Sequence, residues 1–520
     1  MSQIHLDRAD RLHLDGKLAE AVHAYREAVS ADRSSFDAWS GLGHAAAALL
    51  EYGEAIPALR EALNLRPGEA RLRVNLAKAL FAIGYVSEAM RENERAIREG
   101  DAAARAAAVA NAAIMAPGDP ELDHAAVLHS RARWAAAEAA SVTPLRAAPA
   151  PGPRLRIAYY GSFFDRPNWM KMYMGVINAH DRDRFEVNLI CDGAAPCAEA
   201  GYRDHDNDRI WEVTGMLNAD LARHVAEAGI DVLVDLNGYS HPARLPLLLH
   251  RAAPVQIAWN GMYGTTGFPH LNALVGDARS ILPEEERFCS EPILRVAQTY
   301  LPFTFFYEAP PVAPPPMLRE GQVTFGSLNS AYKLTPKTLS VWSSILRAVP
   351  GSRLLLRNRG LDAASNRADL LSRFAAGGIL PNRLTLEGGG THDEFLRTYD
   401  RVDLALDTFP YNGGTTTAEA LWQGVPVLTT VGDRWAGRTS RSLLVAAGYE
   451  EDVAADEDAL VALAVRLAAS PQHLARRRAG QRAAVAASPA CDPAGLCREL
   501  EEIYRRTAEA AFRRRAAAPA

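Results

Sequence analysis

Cysteine is scarce in this chain. Five of 520 residues are cysteines, at 191, 197, 289, 491 and 497, with no Cys-x-x-Cys pair and no Cys/His spacing suited to zinc. A disulfide framework is therefore excluded, and a reducing compartment is expected. Charge of one sign is not in excess either: 57 Lys and Arg face 62 Asp and Glu, a formal net charge of −5. That removes the basic footprint of a nucleic-acid binder. No run approaches the roughly 18 apolar residues of a membrane span. The opening MSQIHLDRADRLHLDGK is charged and has no apolar core of a secretory leader. A cytoplasmic chain without membrane spans is the expectation, and its length predicts several domains with a sizeable core.

What is present begins with a repeat. Glu20-Ala21-Val22, Glu54-Ala55-Ile56 and Glu88-Ala89-Met90 recur every 34 residues, as do Ala28, Ala62 and Ala96. Gly16 and Gly84 mark one inter-helix turn two periods apart, and Leu42 matches Leu76. A 34-residue period with small residues where helices touch is the tetratricopeptide (TPR) signature. Neighbouring repeats bury a face that none could bury alone. Residues 1–118 thus read as an α-helical solenoid of about three repeats plus a degenerate fourth. At this stage the arm fits either a peptide-binding surface or a structural, dimerising element.

Residues 119–153 read as a connecting helix and a proline-rich linker, SVTPLRAAPAPGP. The period then changes. LRIAYY, FEVNLIC, DVLVDL and PVQIAWN are apolar strand-like runs separated by helical segments. After a second break, APPVAPPP at 309–316, the runs are VTFGSL, SRLLLRN, RLTLEG, DLALD and VPVLTT. Alternating strands and helices predict two consecutive Rossmann-like α/β lobes, 154–313 and 314–485, followed by a C-terminal helix in 486–520. Such a bilobal pair suggests an enzyme with a ligand cleft.

The densest chemistry lies in DLALDTFPYNGGTTTAEALWQGVPVLTTVGDRWAGRTSRSLLVAAG, residues 403–448. A buried strand ends at Asp407, two glycines follow, and then Thr415, Thr416 and Thr417 open a helical pattern. Free N–H groups, the positive dipole end and hydroxyl donors make such a start suitable for phosphate. An ordinary N-cap has the same pattern, and both readings stay open on the residues alone. Earlier, FGSLNSAYKLTP places Ser330 and Lys333 in a loop after a strand, with Thr335-Pro336 as N-cap and first turn of the next helix. Lys333 then stands at the C-terminal edge of a parallel sheet, where α/β domains bind ligands.

This stretch, with the loops before it, closely resembles the catalytic domain of the O-GlcNAc transferase and SPINDLY family of TPR-bearing, nucleotide-sugar-dependent protein glycosyltransferases with a GT-B fold. The resemblance covers roughly residues 154–485. It implies that Lys333 contacts the nucleotide diphosphate and neutralises the departing UDP, with Ser330 beside it. It further implies that Gly390, His392 and Phe395 hold the base, Thr415 and Thr416 the diphosphate, and Glu419 the ribose. Phe395 stands where the animal enzyme stacks a histidine, and Gly414 where that enzyme has a histidine before its threonine pair.

In the first lobe the pattern departs. Many relatives read His-Pro followed by another His or aromatic after the first strand; this chain reads Phe164-Asp165-Arg166-Pro167-Asn168-Trp169-Met170-Lys171. Arg166 and Met170 replace histidines that line the acceptor and sugar side, while His241 and His270 remain polar candidates. Asp165 is the carboxylate to consider first as catalytic base.

The function expected is inverting, metal-independent transfer of a sugar, GlcNAc first, from a UDP-sugar to a protein side chain, with Ser/Thr hydroxyl as acceptor. Other donors (glucose, fucose or a nonulosonic acid, as on flagellin or an Asn), a silent nucleotide-binding scaffold and a nucleotide-sugar epimerase are the alternatives. No cofactor or metal is expected, since no DxD-like pair sits at a sheet edge. The expected partners are the nucleotide sugar, a protein acceptor met by the TPR arm, and as a candidate a second copy of the chain. The arm itself is expected to select the acceptor without assisting bond making.

Overall fold

A computed structural model describes residues 2–145 and 152–516. Residues 146–151, the middle of the expected proline-rich linker, lie outside the described residues. The chain forms two units, each assembled from separated segments. The first contains residues 1–122, 314–412 and 456–474; the second contains 123–313, 413–455 and 475–520.

In the first unit the N-terminal repeats are antiparallel helix pairs: Ser2–Leu14 with Leu18–Ala31, Phe36–Ala48 with Tyr52–Leu65, and Ala70–Ala82 with Val86–Glu99. The single helix Ala102–Met115 follows. Ala21, Ala55 and Ala89, and likewise Ala28, Ala62 and Ala96, are all 0 % exposed. Small side chains are needed there because the helix axes approach closely. Helix starts are capped where the sequence supplies an oxygen: Ser35 accepts from the Ala38 amide and Asp101 from that of Ala104. The turns inside the pairs adopt positive φ at Gly16 (73°), Leu50 (62°) and Gly84 (93°), one 34-residue step apart. Glycine takes that conformation without strain; Leu50 does not, and its carbonyl accepts from Asn366 Nδ2 at 2.8 Å.

The same unit holds a parallel array in the order β10-β9-β8-β11, built from β8 (Thr324–Ser327), β9 (Arg353–Arg357), β10 (Leu384–Glu387) and β11 (Leu404–Leu406). The core strands are apolar because helices cover both faces. Thr335 caps the helix Pro336–Ala348 by accepting from the Thr338 amide, with proline in the first turn as the sequence predicts. The Asp403 carboxylate accepts from the amides of Met317 (3.0 Å) and Thr324 (2.8 Å), which ties the proline-rich entry segment to the sheet.

The second unit is built on a seven-stranded parallel sheet. Its strands are β1 (Leu155–Gly161), β2 (Phe185–Cys191), β3 (Arg209–Glu212), β4 (Val232–Asp235), β5 (Val255–Ala258), β6 (Ala273–Asp277) and β7 (Ile293–Val296), in the order β3-β2-β1-β4-β5-β6-β7. Reversal of strand order at β1 and β4 places a topological switch point at the C-terminal edge. The short parallel pair β12 (Val427–Thr430) and β13 (Val453–Ala454) also belongs to this unit.

The last helix, Pro493–Ala516, returns to the first strand. Tyr159 on β1 contacts Tyr504 (3.1 Å) and the His180 ring (2.7 Å), and His180 Nδ1 meets Glu501 at 2.9 Å. All five cysteines are free thiols. Burial pushes Cys191, Cys289 and Cys491 up to about 12, which makes them poor nucleophiles. Among the described residues no helix is long and apolar enough to cross a membrane.

Candidate functional site

The loop after β8 turns tightly at Ala331–Lys333 and ends in the Thr335 cap. Lys333 Nζ donates to the Asn412 carbonyl at 2.6 Å and lies 4.4 Å from the Tyr411 ring centroid and 5.8 Å from that of Tyr332. Thr335 and Thr338 both donate to the Phe409 carbonyl (2.7 and 2.9 Å), so the lysine loop and the 409–412 segment are held as one piece. Burial lowers the Lys333 ammonium to about 8, with the Asp407 carboxylate opposing the shift. An arriving diphosphate would restore the charge. Donor affinity is thus expected to be level below pH 7 and to fall about tenfold per unit above pH 8. Titration calorimetry between pH 6.5 and 9.5 checks this, and a flat profile would remove Lys333 from the diphosphate.

The loop after β10 leaves the same C-terminal edge. Gly390 has φ +150°, and a Cβ there would collide with Arg357 Nη2. Arg357, on β9, donates to the carbonyls of Gly389 (2.9 Å) and Glu394 (3.0 Å) and to Thr398 Oγ1 (2.9 Å). A capping box of Thr391 and Glu394 starts the helix His392–Arg397. The His392 and Phe395 rings stack with centroids 6.4 Å apart at 18°. Phe395 is half-buried, whereas its neighbour Leu396 is 1 % exposed and fills the core.

Ser330 is exposed at the mouth of the lysine loop. Two buried amides at this edge have unsatisfied atoms: both polar side-chain atoms of Asn358, just after β9, and Oδ1 of Asn412. Buried polar atoms without partners are costly, and they cluster where ligands arrive. Nothing in the sequence singled out Asn358, Asn412 or Arg357, since asparagine in a loop and arginine at a strand end are unremarkable by pattern.

The helical arm reaches this edge as well. Arg373 donates to the carbonyl of Ile83 (2.8 Å) in the arm and to that of Leu334 in the lysine loop. Phe81 stacks on Tyr332 with centroids 5.1 Å apart and planes 22° apart. A Cβ at Gly84 would collide with the Leu334 carbonyl oxygen. One repeat earlier, Gly53 donates to Asn366 (2.9 Å) and Glu51 accepts from Ser365. The turn ridge of the repeats is therefore seated on the helix Ala364–Ala376 and on the lysine loop. The period exposed the turns, but not what they rest upon.

In the second unit, the helix Thr415–Trp422 begins at Gly414 with no capping side chain. Thr415 and Thr416 are half-exposed on its first turn, while Thr417 is buried and pairs with Ser440 at 2.7 Å. Glu419 is 1 % exposed and forms an ion pair with Lys171, whose side chain is 0 % exposed. The sequence offered no sign of that partner.

Asp165 lies in the loop after β1 with its side chain 37 % exposed, 3.9 Å from Arg166 Nε. His241 is 3.4 Å from Asp192, and His270 is exposed. Asp235, at the end of β4, is raised to about 7 by burial. Its oxygens accept from the amides of Asn237 and Gly238, so it closes a turn and is not open to a substrate.

A family model described as Glycosyl transferase family 41 matches residues 124–308 and 316–500. The chain belongs to glycosyl transferase family 41. The probable UDP-N-acetylglucosamine–peptide N-acetylglucosaminyltransferase SPINDLY of Solanum lycopersicum is 37 % identical over 299 residues, covering 57 % of this chain and 32 % of that protein. The same-named protein of Arabidopsis thaliana is 35 % identical over 333 residues, covering 63 % and 36 %. The chain thus spans about a third of the length of the curated relatives it matches. A solved structure of a Thermobaculum terrenum O-GlcNAc transferase mutant superposes with a TM-score of 0.78 at 30 % identity, covering 98 % of both chains. The fold expected from sequence, a TPR-like helical arm followed by a GT-B-type α/β region, is the fold observed.

Within this family 41 chain the expected donor residues fall into two groups. Ser330, Lys333, Gly390, His392 and Phe395 share the C-terminal strand edge of the first unit. Gly414, Thr415, Thr416 and Glu419 share one helix start in the second, which also contains Asp165.

Proposed function

We propose that this chain transfers a sugar, GlcNAc, from a UDP-sugar to a serine or threonine hydroxyl of a protein, with inversion at the anomeric carbon. The observation that carries the reading is Lys333: an ammonium held by a backbone carbonyl and two aromatic rings, at a strand edge, with its charge already weakened by burial. Such a group gains most from the negative charge that develops on a leaving diphosphate. Thr415 and Thr416 would donate to a diphosphate from the first turn of their helix, where the dipole favours anions. Gly390, His392 and Phe395 would hold the uracil, and Glu419 the ribose hydroxyls.

Attack by the acceptor hydroxyl forms the new glycosidic bond as the bond to UDP breaks, and the hydroxyl proton passes to a base. Asp165, a partly exposed carboxylate in the loop after β1, is assigned that role. The names of relatives, UDP-N-acetylglucosamine–peptide transferases, support this donor and this class of acceptor. The helical arm is assigned the protein acceptor.

A thermal-shift panel of nucleotide sugars tests the reading. UDP-GlcNAc at about 100 times its dissociation constant is expected to stabilise the chain by about 2.7 kcal/mol. Stabilisation by GDP-fucose and by no UDP-sugar would overturn the donor assignment. Binding without transfer to any peptide would make the chain a nucleotide-sensing scaffold.

A further inference from the structure

The pair Lys171–Glu419 is buried on both sides, with side chains 0 % and 1 % exposed. Burying two charges is expensive, and a hydrophobic pair of similar volume would serve stability as well or better. Burial lowers the Lys171 ammonium, and the Glu419 carboxylate opposes that shift. Lys171 Nζ lies 4.9 Å from the Phe305 ring centroid and 5.7 Å from that of Tyr307, and the Thr304 amide donates to the Lys171 carbonyl at 2.7 Å. The lysine follows directly on the short helix Pro167–Met170, in the stretch where the first lobe departs from its relatives. Its partner sits on the first turns of Thr415–Trp422, within four residues of the threonines assigned to the diphosphate.

We propose that Lys171 is a positioning residue for the donor's ribose, pairing with the Glu419 carboxylate and aiming it so that it accepts hydrogen bonds from the 2′- and 3′-hydroxyls. This rests on the reading of Glu419 as the ribose ligand. The physical case is one of solvation. A carboxylate with almost no contact with water keeps its charge only if a cation or several donors replace that water. A ribose hydroxyl bonds more strongly to an ionised acceptor than to a neutral acid. Lys171 supplies the charge without touching the nucleotide, and the Phe305 and Tyr307 faces keep the ammonium where no solvent reaches it. The donor site would thus recognise ribose through a residue of the first lobe that no donor motif contains.

The test compares UDP with 2′,3′-dideoxy-UDP by titration calorimetry on the full chain. The wild type is expected to bind the dideoxy nucleotide about tenfold or more weakly, the loss of hydrogen bonds to a charged group. Lys171→Met is expected to weaken UDP to the level of the dideoxy compound and to leave the dideoxy compound unchanged, so the ratio falls to about one. Lys171→Gln, which keeps a donor to Glu419 and loses the charge, secures the measurement should the methionine variant not fold. Lys171→Arg is expected to keep most of the discrimination. A purely structural role would weaken both nucleotides together and preserve the ratio, and that result overturns the proposal. A wild-type ratio near one would instead remove Glu419 from the ribose, and the inference with it.

Discussion

Lys333→Ala is expected to lower sugar transfer by about 10²–10³-fold, the usual loss when one preorganised donor to a developing anion is removed. Its melting temperature is expected to stay within a few degrees of wild type. The two expectations follow from one geometry. Alanine forfeits the bond to the Asn412 carbonyl and the contacts with Tyr411 and Tyr332. It also relieves the burial that pushes the ammonium down to about 8. These changes oppose each other in the free protein, where the exchange is worth about 1 kcal/mol either way. In the transition state nothing opposes the loss. Transfer rate and thermal melting measured on the same preparation decide the matter. A variant with wild-type turnover would clear Lys333 of any role, and one that simply unfolds would make it a structural residue.

Gly84→Ala is expected to cut donor affinity about tenfold, whereas Gly16→Ala leaves it unchanged. Both glycines have positive φ, 93° and 73°, so either alanine costs about 1–2 kcal/mol of backbone strain. Only Gly84 has a neighbour: its Cβ would meet the Leu334 carbonyl, while nothing lies within 4 Å of the position at Gly16. The two substitutions thus share their strain and differ in the lysine loop. Arg373 holds that same carbonyl together with the one at Ile83, so displacing Leu334 breaks the bridge between arm and loop. Calorimetry with UDP on both variants, beside their melting curves, isolates the contact. Equal affinities would show the arm to be inert toward the donor. The same contact predicts that a chain without residues 1–118 loses donor affinity as well as its acceptor.

Where local pattern determines structure, the sequence was easily read. The 34-residue alanine positions became the most buried points of the helix pairs because a helix contact of that closeness admits no larger side chain. Each apolar run named as a strand is a strand, since a strand covered on both faces must be apolar throughout. Among the described residues four strands went unread: Arg209–Glu212, Ala273–Asp277, Ile293–Val296 and Val453–Ala454, of which Ala273–Asp277 is buried throughout and carried the apolar signal all the same. Arg209–Glu212 is mostly exposed and is held by its neighbour β2, and Val453–Ala454 is two residues long. At the candidate site the pattern led to Lys333 and to the Thr415 helix, because a glycine turn and a helix start are local features. It could not lead to Lys171 or Arg373. A lysine in a loop and an arginine on a helix look solvated until tertiary packing buries them against Phe305, Tyr307 and Tyr85.

The return of the last helix to β1 bears on how the protein is made. Tyr159 and Tyr504, in contact at their hydroxyls, are 345 residues apart in the chain. At about 5–20 residues per second a ribosome spends roughly 20–70 s between them. Through that interval the face of the first lobe around Tyr159 and His180 has been synthesised but lacks its cover. Nascent chains stalled before residue 493 are therefore expected to engage holdase chaperones and to be cut by protease near His180, while chains released past Tyr504 resist. The protein would be vulnerable during its own synthesis, at a face that only its last helix closes.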